Sequence, residues 1–502
     1  MKLPLGRRGS IALMAALLSL PLLAALGVGI DLARAFLVHS RLLTAIDSAA
    51  LAGARSITSA GVVTEAKGYF WANFDRVSAS SNIGYMNALV RVLEVGVTSN
   101  QVTVEARAEL PTSGFLKLIG IDTIPLRVSN AARRGGNGIE LALVLDTTGS
   151  MGAANMAALR EAATSLVEIV FGREETIPNL WVSVVPYTAS INIGPGRTDW
   201  LLGGSLDQSR YLNRAWAGCV EARHQNGNDE NDATPAMAPF RPFRYPSTLG
   251  VYPVAGDNDW ASNTITEQDQ IRLPENTARG PNLGCGLSIL PLNASKTQIR
   301  AKIAELVQVY RGGTTINLGM QGGWFTLSPR WRGLWGGDAR LPLDYRQPNA
   351  RKVLVLMTDG NNEWYDYPNG APGLSSSAPN NANHSRFAET VDADVTGYGR
   401  LSENRLGIVM PAGGTVAQRR TNTIQAMRNE LDARTTRLCT RIKDAGITVY
   451  TITFNLNTAS TQALFRNCAS RPEYWFNSPD QAALLGAFRT IGEQLAQIRL
   501  VR

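Results

Sequence analysis

The sequence predicts an α/β protein: a doubly wound, mainly parallel sheet with long insertions, preceded by a membrane helix and a small α+β segment. Three observations predict it. A run of 20 uncharged residues, Ile11 to Ile30, stands near the amino terminus. After about residue 136, short apolar runs alternate with helical stretches, the pattern of strands buried on both faces of a parallel sheet. Two long polar stretches, residues 195–294 and 363–414, interrupt that alternation. The 502 residues are enough for several domains, and 44% hydrophobic against 18% charged residues excludes a mostly disordered chain.

Residues 1–10 read as a cytoplasmic tail and 11–30 as a transmembrane helix, since 20 residues at about 1.5 Å each cross a hydrocarbon core of about 30 Å. The apolar run is longer than a signal-peptide core and no A-x-A site follows it, so it is expected to stay uncleaved. Lys2, Arg7 and Arg8 precede the run without an acid, whereas Asp31, Arg34, Arg41 and Asp47 follow it as a balanced set, which places the amino terminus in the cytoplasm. Residues 31–135 then read as a helix plus a small antiparallel sheet. Leu32, Phe36, Leu43, Ile46 and Ala50 mark one apolar stripe continuing the helix to about Gly53, and strands are expected at Leu89–Val97, Val102–Ala108 and near Ile124–Val128.

From residue 136 to 502, strands are expected at Leu141–Leu145, Trp181–Val185, Val353–Met357 and Ile447–Phe454. Helices are expected at Met156–Val170, Lys296–Val309, Thr415–Lys443 and from Asp480 to about Leu500. The polar run Asn226 to Asp232 lacks the ligand spacing of a calcium loop and reads as a solvated turn. Trp324, Trp331 and Trp335 read as core packing. With 49 basic and 41 acidic residues the net charge is +8, but no basic run occurs, so no nucleic-acid partner is expected.

His39, His224 and His384 lie far apart and the cysteines show no C-x-x-C spacing, so a metal site would use oxygen ligands. All four cysteines follow the apolar run, on the side that the orientation makes oxidising. Proximity in sequence pairs Cys219 with Cys285 and Cys439 with Cys468.

Chemistry concentrates at three places. Asp146-Thr147-Thr148-Gly149-Ser150 ends the first apolar strand of the sheet, where parallel sheets place their ligands. Gly312-Gly313-Thr314 and Thr358-Asp359-Gly360 follow in strand ends or loops of the same sheet. Two carboxylates and several hydroxyls make an all-oxygen site for a small hard cation, Mg²⁺ before other divalent ions. So few charged ligands leave residual positive charge and an open position for a carboxylate from another protein. Asp146 is expected at a solvent-facing strand end.

This pattern resembles the metal-ion-dependent adhesion site of von Willebrand factor A domains. The resemblance implies that family's fold from about Gly138 onward and the metal ligands Asp146, Thr148, Ser150, Thr314 and Asp359, with Thr315 the alternative to Thr314. Thr148 stands where the family has serine and keeps the hydroxyl. A second resemblance rests on Arg7-Arg8-Gly9-Ser10, Gly29-Ile30-Asp31-Leu32 and the segment Thr44-Ala45-Ile46-Asp47-Ser48-Ala49-Ala50-Leu51-Ala52-Gly53-Ala54. Leu327-Ser328-Pro329-Arg330-Trp331 and the surroundings of Cys439 and Cys468 add to it. These are similar to TadG-like Flp (tight-adherence) pilus assembly proteins.

Together the resemblances imply a single-pass protein of the bacterial inner membrane, with the bulk of the chain periplasmic. Its implied role is to bind pilus assembly or envelope proteins through the metal, without catalysis. A surface adhesin or pilus-associated minor component is the second reading. The third is a haloacid-dehalogenase-like phosphotransferase with Asp146 as nucleophile, in which Thr148 would occupy the place of the second aspartate.

Overall fold

The computed structural model describes residues 7–55, 59–78, 80–98, 101–113, 115–133, 138–211, 215–247, 258, 280–364, 395–409 and 412–500. His384 and the centre of the second insertion lie outside the described residues. Two compact units divide the chain, Met1–Gly136 and Asn137–Arg499.

In the first unit, helix α1 (Arg7–Arg55) is followed by α2 (Ser59–Asn73), β1 (Leu89–Val97), β2 (Gln101–Pro111), the single turn α3 (Phe115–Leu118) and β3 (Thr123–Arg133). The strands form an antiparallel sheet in the order β1-β2-β3. On β2 the alternation is complete: Val102, Val104, Ala106, Ala108 and Leu110 are buried, while Thr103 and Arg107 face water. Helix α2, which sequence reading passed over, contributes Val62, Ala66 and Phe70 to the same core.

The stripe expected on α1 is rotated. The buried residues are Ala35, Val38, Leu42, Ala45, Ile46 and Ala49, whereas Leu32, Phe36 and Leu43 are exposed; of the expected five, only Ile46 and Ala50 are buried. Small alanines let the helix axis come close to the sheet and leave the large side chains outside. Their exposure is continuous with that of Met14, Leu18, Leu22, Leu23, Leu26 and Ile30 along the apolar run. The helix is long and apolar enough to cross a membrane over its described part, with mean hydropathy 1.8 in an 18-residue window within Pro21–Ala54.

The second unit begins with β4 (Gly138–Asp146), α4 (Gly152–Phe171), β5 (Leu180–Tyr187) and the short β6 (Ile191–Asn192), β7 (Cys219–Val220) and β8 (Leu290–Asn293). It continues with α5 (Lys296–Glu305), β9 (Gly313–Thr314), α6 (Ile316–Leu327), β10 (Ala350–Thr358), β11 (Glu363–Trp364) and α7 (Val416–Asp444). The last elements are β12 (Thr448–Phe454), α8 (Ala459–Cys468), β13 (Trp475–Ser478) and α9 (Gln481–Leu500). The main sheet is mixed. Strands run β13-β12-β10-β4-β5 in parallel, and β6, β7 and β8 add antiparallel pieces beyond β5. Residues of β4 alternate between two cores: Leu141, Leu143 and Leu145 pack with α4, α5 and α9, and Ala142 and Val144 with α6 and α7. Helix α5 stops at Glu305, short of the expected Val309.

Both cysteine pairs are disulfide-bonded, Cys219 to Cys285 and Cys439 to Cys468. The first insertion is packed over its described part: Trp200 meets Trp331 and Trp335 edge-on, at ring-centroid distances of 5.4 and 5.1 Å. In the run expected as a solvated turn, Asn226 is exposed but the three acids are buried. Asp229 pairs with Arg434, Glu230 with Arg437 (2.7 Å), and Asp232 accepts from the hydroxyls of Ser328 (2.6 Å) and Tyr345 (2.8 Å). Arginines one helical turn apart on α7 supply the compensation that the sequence run lacks by itself.

Candidate metal centre

The site is assembled at the carboxyl ends of β4 and β10, which are neighbours in the sheet. Asp146 ends β4 and is fully buried. One of its oxygens, Oδ1, accepts from the Thr148 amide (2.9 Å) and from Thr148 Oγ1 (2.7 Å), and the other, Oδ2, from Thr358 Oγ1 (2.7 Å). The Tyr187 hydroxyl lies 3.4 Å from Oδ2 and 3.1 Å from the Met357 carbonyl. The solvent-facing placement expected from sequence is therefore wrong: Asp146 lies behind Thr148 as the floor of the site.

From that floor a chain of oxygens runs outward. Thr148 Oγ1 lies 3.0 Å from Ser150 Oγ, which donates to Asp359 Oδ1 at 2.7 Å. Thr148, Ser150, Thr314 and Asp359 line one cavity of about 500 Å³, together with Tyr310 and Leu456. Gly360 keeps the centre open: a Cβ there would stand 3.9 Å from Ser150 Oγ and 4.0 Å from Thr314 Oγ1. Thr314 is held in place because β9 pairs with β11, Thr314 opposite Glu363. Thr315 is turned away, its hydroxyl donating to the Thr188 carbonyl at 3.0 Å.

Proton counting shows what the arrangement lacks. The path Asp146–Thr148–Ser150–Asp359 has three links and needs three protons, of which the two hydroxyls supply two. With both hydroxyls donating outward to the aspartates, the 3.0 Å Thr148–Ser150 contact gains a proton only when one carboxyl is protonated and its hydrogen bond reverses. Burial, and then the charge of Asp146, raise Asp359 to about 7, and burial raises Asp146 as well. Among the described residues no Lys or Arg forms an ion pair with either aspartate. The donor set therefore fits a small hard cation, which would take the place of the shared proton and accept lone pairs from the same hydroxyls. Two carboxylates are the whole of its charged part; among the described residues no group of three or more His, Cys, Asp or Glu is placed to hold an ion.

The surrounding loop is fixed. Asn362 donates to Asp432 (2.7 Å) on α7 and accepts from the Ile316 amide (2.9 Å) that opens α6, and Asn361 accepts from Thr461 (2.7 Å) on α8. Glu363, on the cavity rim, pairs with Arg428. Sequence reading missed Tyr187, Tyr310 and Glu363. Thr358 stood in view in Thr358-Asp359-Gly360 but was not given a role; Tyr187 could have been found as the last residue of the strand beside β4.

The sequence was also compared with known proteins. Residues 9–56 match the TadE/G-like family of Flp pilus assembly. No curated protein matches the chain. Among solved structures, the pilus adhesin SpaC of Lactobacillus rhamnosus GG aligns at 11% identity over 84% of this chain, with a TM-score of 0.33. The chain spans 35% of that adhesin's length. The von Willebrand factor domain of the type V pili tip protein Mfa5 from Porphyromonas gingivalis aligns at 11% identity over 73% of this chain and 97% of its own, with a TM-score of 0.34. Proximal thread matrix protein 1 from the mussel byssus, with a zinc-occupied adhesion-site motif, aligns at 12% identity over 72% of this chain and 46% of its own, with a TM-score of 0.30.

Proposed function

We propose that this is a membrane-anchored binding protein of Tad/Flp-like pilus assembly whose second unit holds a divalent cation and uses it to engage a protein partner. The observation that carries the reading is the oxygen chain from Asp146 through Thr148 and Ser150 to Asp359, which among the described residues forms no ion pair with Lys or Arg. Thr148, Ser150, Thr314 and Asp359 would hold the ion from the cavity wall, with Asp146 orienting Thr148 from below. Bound there, the ion supplies a positive charge that a partner's carboxylate can complete. The domain is read as von Willebrand factor A-like and doubly wound, at residues 136–502. Anchoring rests on α1 and on the family match over residues 9–56. The amino terminus is placed in the cytoplasm and the bulk of the chain in the periplasm, where the two disulfides are at home.

No catalytic role is assigned. Phosphotransfer through Asp146 is disfavoured because its carboxylate is fully buried and already accepts from Thr148 and Thr358. A surface adhesin remains the second reading, favoured only by the open cavity.

The test is Mn²⁺ binding to the detergent-solubilised chain, read by electron paramagnetic resonance with Mg²⁺ as competitor. Pull-down of envelope proteins with Mg²⁺ and with chelator accompanies it. Wild type should bind Mn²⁺, and Ser150→Ala with Asp359→Asn should not. Partner capture that persists in chelator would remove the metal from the binding function. Labelling of intact cells by an impermeant reagent would favour the adhesin.

A further inference from the structure

The β2–β3 connection of the first unit ends in an apolar tip. Leu118 is 83% exposed, Ile119 55% and Ile121 43%. The tip is nevertheless ordered. The Ile121 amide donates to the Leu116 carbonyl (2.9 Å), the Gly120 amide to the Lys117 carbonyl (3.2 Å), and Thr112 Oγ1 to the Ile121 carbonyl (2.6 Å). A fixed loop that displays three large aliphatic side chains to water marks an interaction surface.

Its place on α1 identifies the partner. Asp31 is the first charged residue after the uncharged run, and the connection covers it. Asp31 Oδ1 accepts from the Ser113 amide (2.8 Å) and Ser113 Oγ (3.0 Å), while Arg34 Nη1 donates to Ser113 Oγ (2.7 Å) and to the Pro111 carbonyl (3.3 Å). The tip is thus clamped at the helix level where the membrane-crossing run ends. Large apolar side chains on α1 are exposed on both sides of that level, Leu26 and Ile30 before it, Leu32, Phe36 and Leu37 after it. Helix and loop thus both leave large apolar side chains in water around this level.

We propose that the tip Leu118-Ile119-Gly120-Ile121 inserts into the lipid bilayer beside α1 as a second, shallow membrane contact. The inference rests on the reading of α1 as a membrane helix. A single helix leaves the unit free to tilt and rotate on its axis; a second contact, offset from that axis, sets the orientation in which the unit stands on the membrane. Burial of Asp31 against Ser113, with Arg34 Nη1 3.4 Å from its Oδ1, keeps a bare carboxylate from facing the interface.

The test uses the full chain in vesicles of phosphatidylethanolamine and phosphatidylglycerol, with its disulfides intact. A nitroxide is attached at a cysteine introduced as Leu118→Cys or Ile119→Cys. Thr103→Cys on the sheet's exposed face and Leu22→Cys in the helix are the reference sites. Accessibility to oxygen and to a water-soluble nickel complex gives the depth of each label. Labels at 118 and 119 should lie about 5–10 Å below the headgroup boundary, with 22 deeper and 103 in water. If 22 is deep while 118 and 119 read as aqueous, the tip does not insert and the anchor stands. If 118 and 119 are shielded from both reagents, a protein surface covers them and the lipid inference falls. If 22 itself is aqueous, the anchor reading and this one fall together.

Discussion

Two acidic clusters in the second unit stand at opposite extremes of charge compensation. In the buried run Asp229 to Asp232 each carboxylate has a partner that neutralises or satisfies it: Arg434 for Asp229, Arg437 for Glu230, and two hydroxyls with Arg330 for Asp232. At the carboxyl ends of β4 and β10, Asp146 is as deeply enclosed and Asp359 is half-buried on the cavity wall, and among the described residues neither forms an ion pair with Lys or Arg. Sequence reading ranked the first a solvated turn for want of calcium-loop spacing, and the second a metal site from three motifs taken together and their resemblance to an adhesion site. The structure adds the physical distinction: a buried acid with its own guanidinium has no use for a cation, and a buried pair without one has a charge deficit to fill.

The largest effect should come from the compensated cluster. Arg434→Met leaves Asp229 buried without its counterion and should cost about 3–5 kcal/mol. Melting should move far down while the response to Mg²⁺ is kept; an unchanged melting temperature would mean that the pair is ornamental. The double variant with Asp229→Asn should recover part of the loss.

Next comes the uncompensated pair. Asp359 titrates at about 7 in the folded chain against an ordinary 3.8, so folding favours its protonated form. That contribution is complete below pH 3.8 and is lost as pH rises through 7. In chelator, raising pH from 5 to 8 should therefore destabilise wild type relative to Asp359→Asn by about 3 kcal/mol or less. Parallel melting curves for the two proteins across that range would contradict the shared-proton account.

A slightly smaller effect is expected from the metal. At about 100 times its dissociation constant, Mg²⁺ should stabilise wild type by about 2.7 kcal/mol and Ser150→Ala by less. Calorimetric melting with and without the ion measures this, and equal shifts in both proteins would dissociate Ser150 from the site. The smallest effect belongs to the rim of the compensated cluster. Arg437 is 44% exposed, so Arg437→Ala should change stability by about 1 kcal/mol or less despite its short contact with Glu230.

Legibility in the sequence followed local pattern. The parallel strands were visible because β4 and β10 are continuous apolar runs, and β2 because its valines and alanines alternate with polar residues. Helix α6 was not among the expected helices, and its Gly319, Gly322 and Gly323 weaken the helical signal there. The fold requires them: a Cβ at Gly319 would lie 2.3 Å from the Tyr187 ring and one at Gly323 2.4 Å from Val144. That close approach seats Tyr187, whose hydroxyl then reaches Asp146, so one omission hid both the helix and part of the site. The stripe on α1 was misplaced because residue size was taken as a sign of burial, and alanine carries the buried face. The residues of the candidate site were visible as three short motifs; the depth of Asp146 was not, since it depends on Thr358 and Tyr187 from neighbouring strands.

The position of β4 also has a mechanical meaning. The chain enters the second unit directly into this central strand, which is bonded in parallel to β10 on one side and β5 on the other from Ile139 to Leu145. The candidate site lies at its far end, at Asp146 and Thr148. Tension between a membrane anchor and a partner held at that end would run along the axis of β4. Both ladders would then be loaded in shear, with their hydrogen bonds sharing the force together instead of opening one after another from an edge.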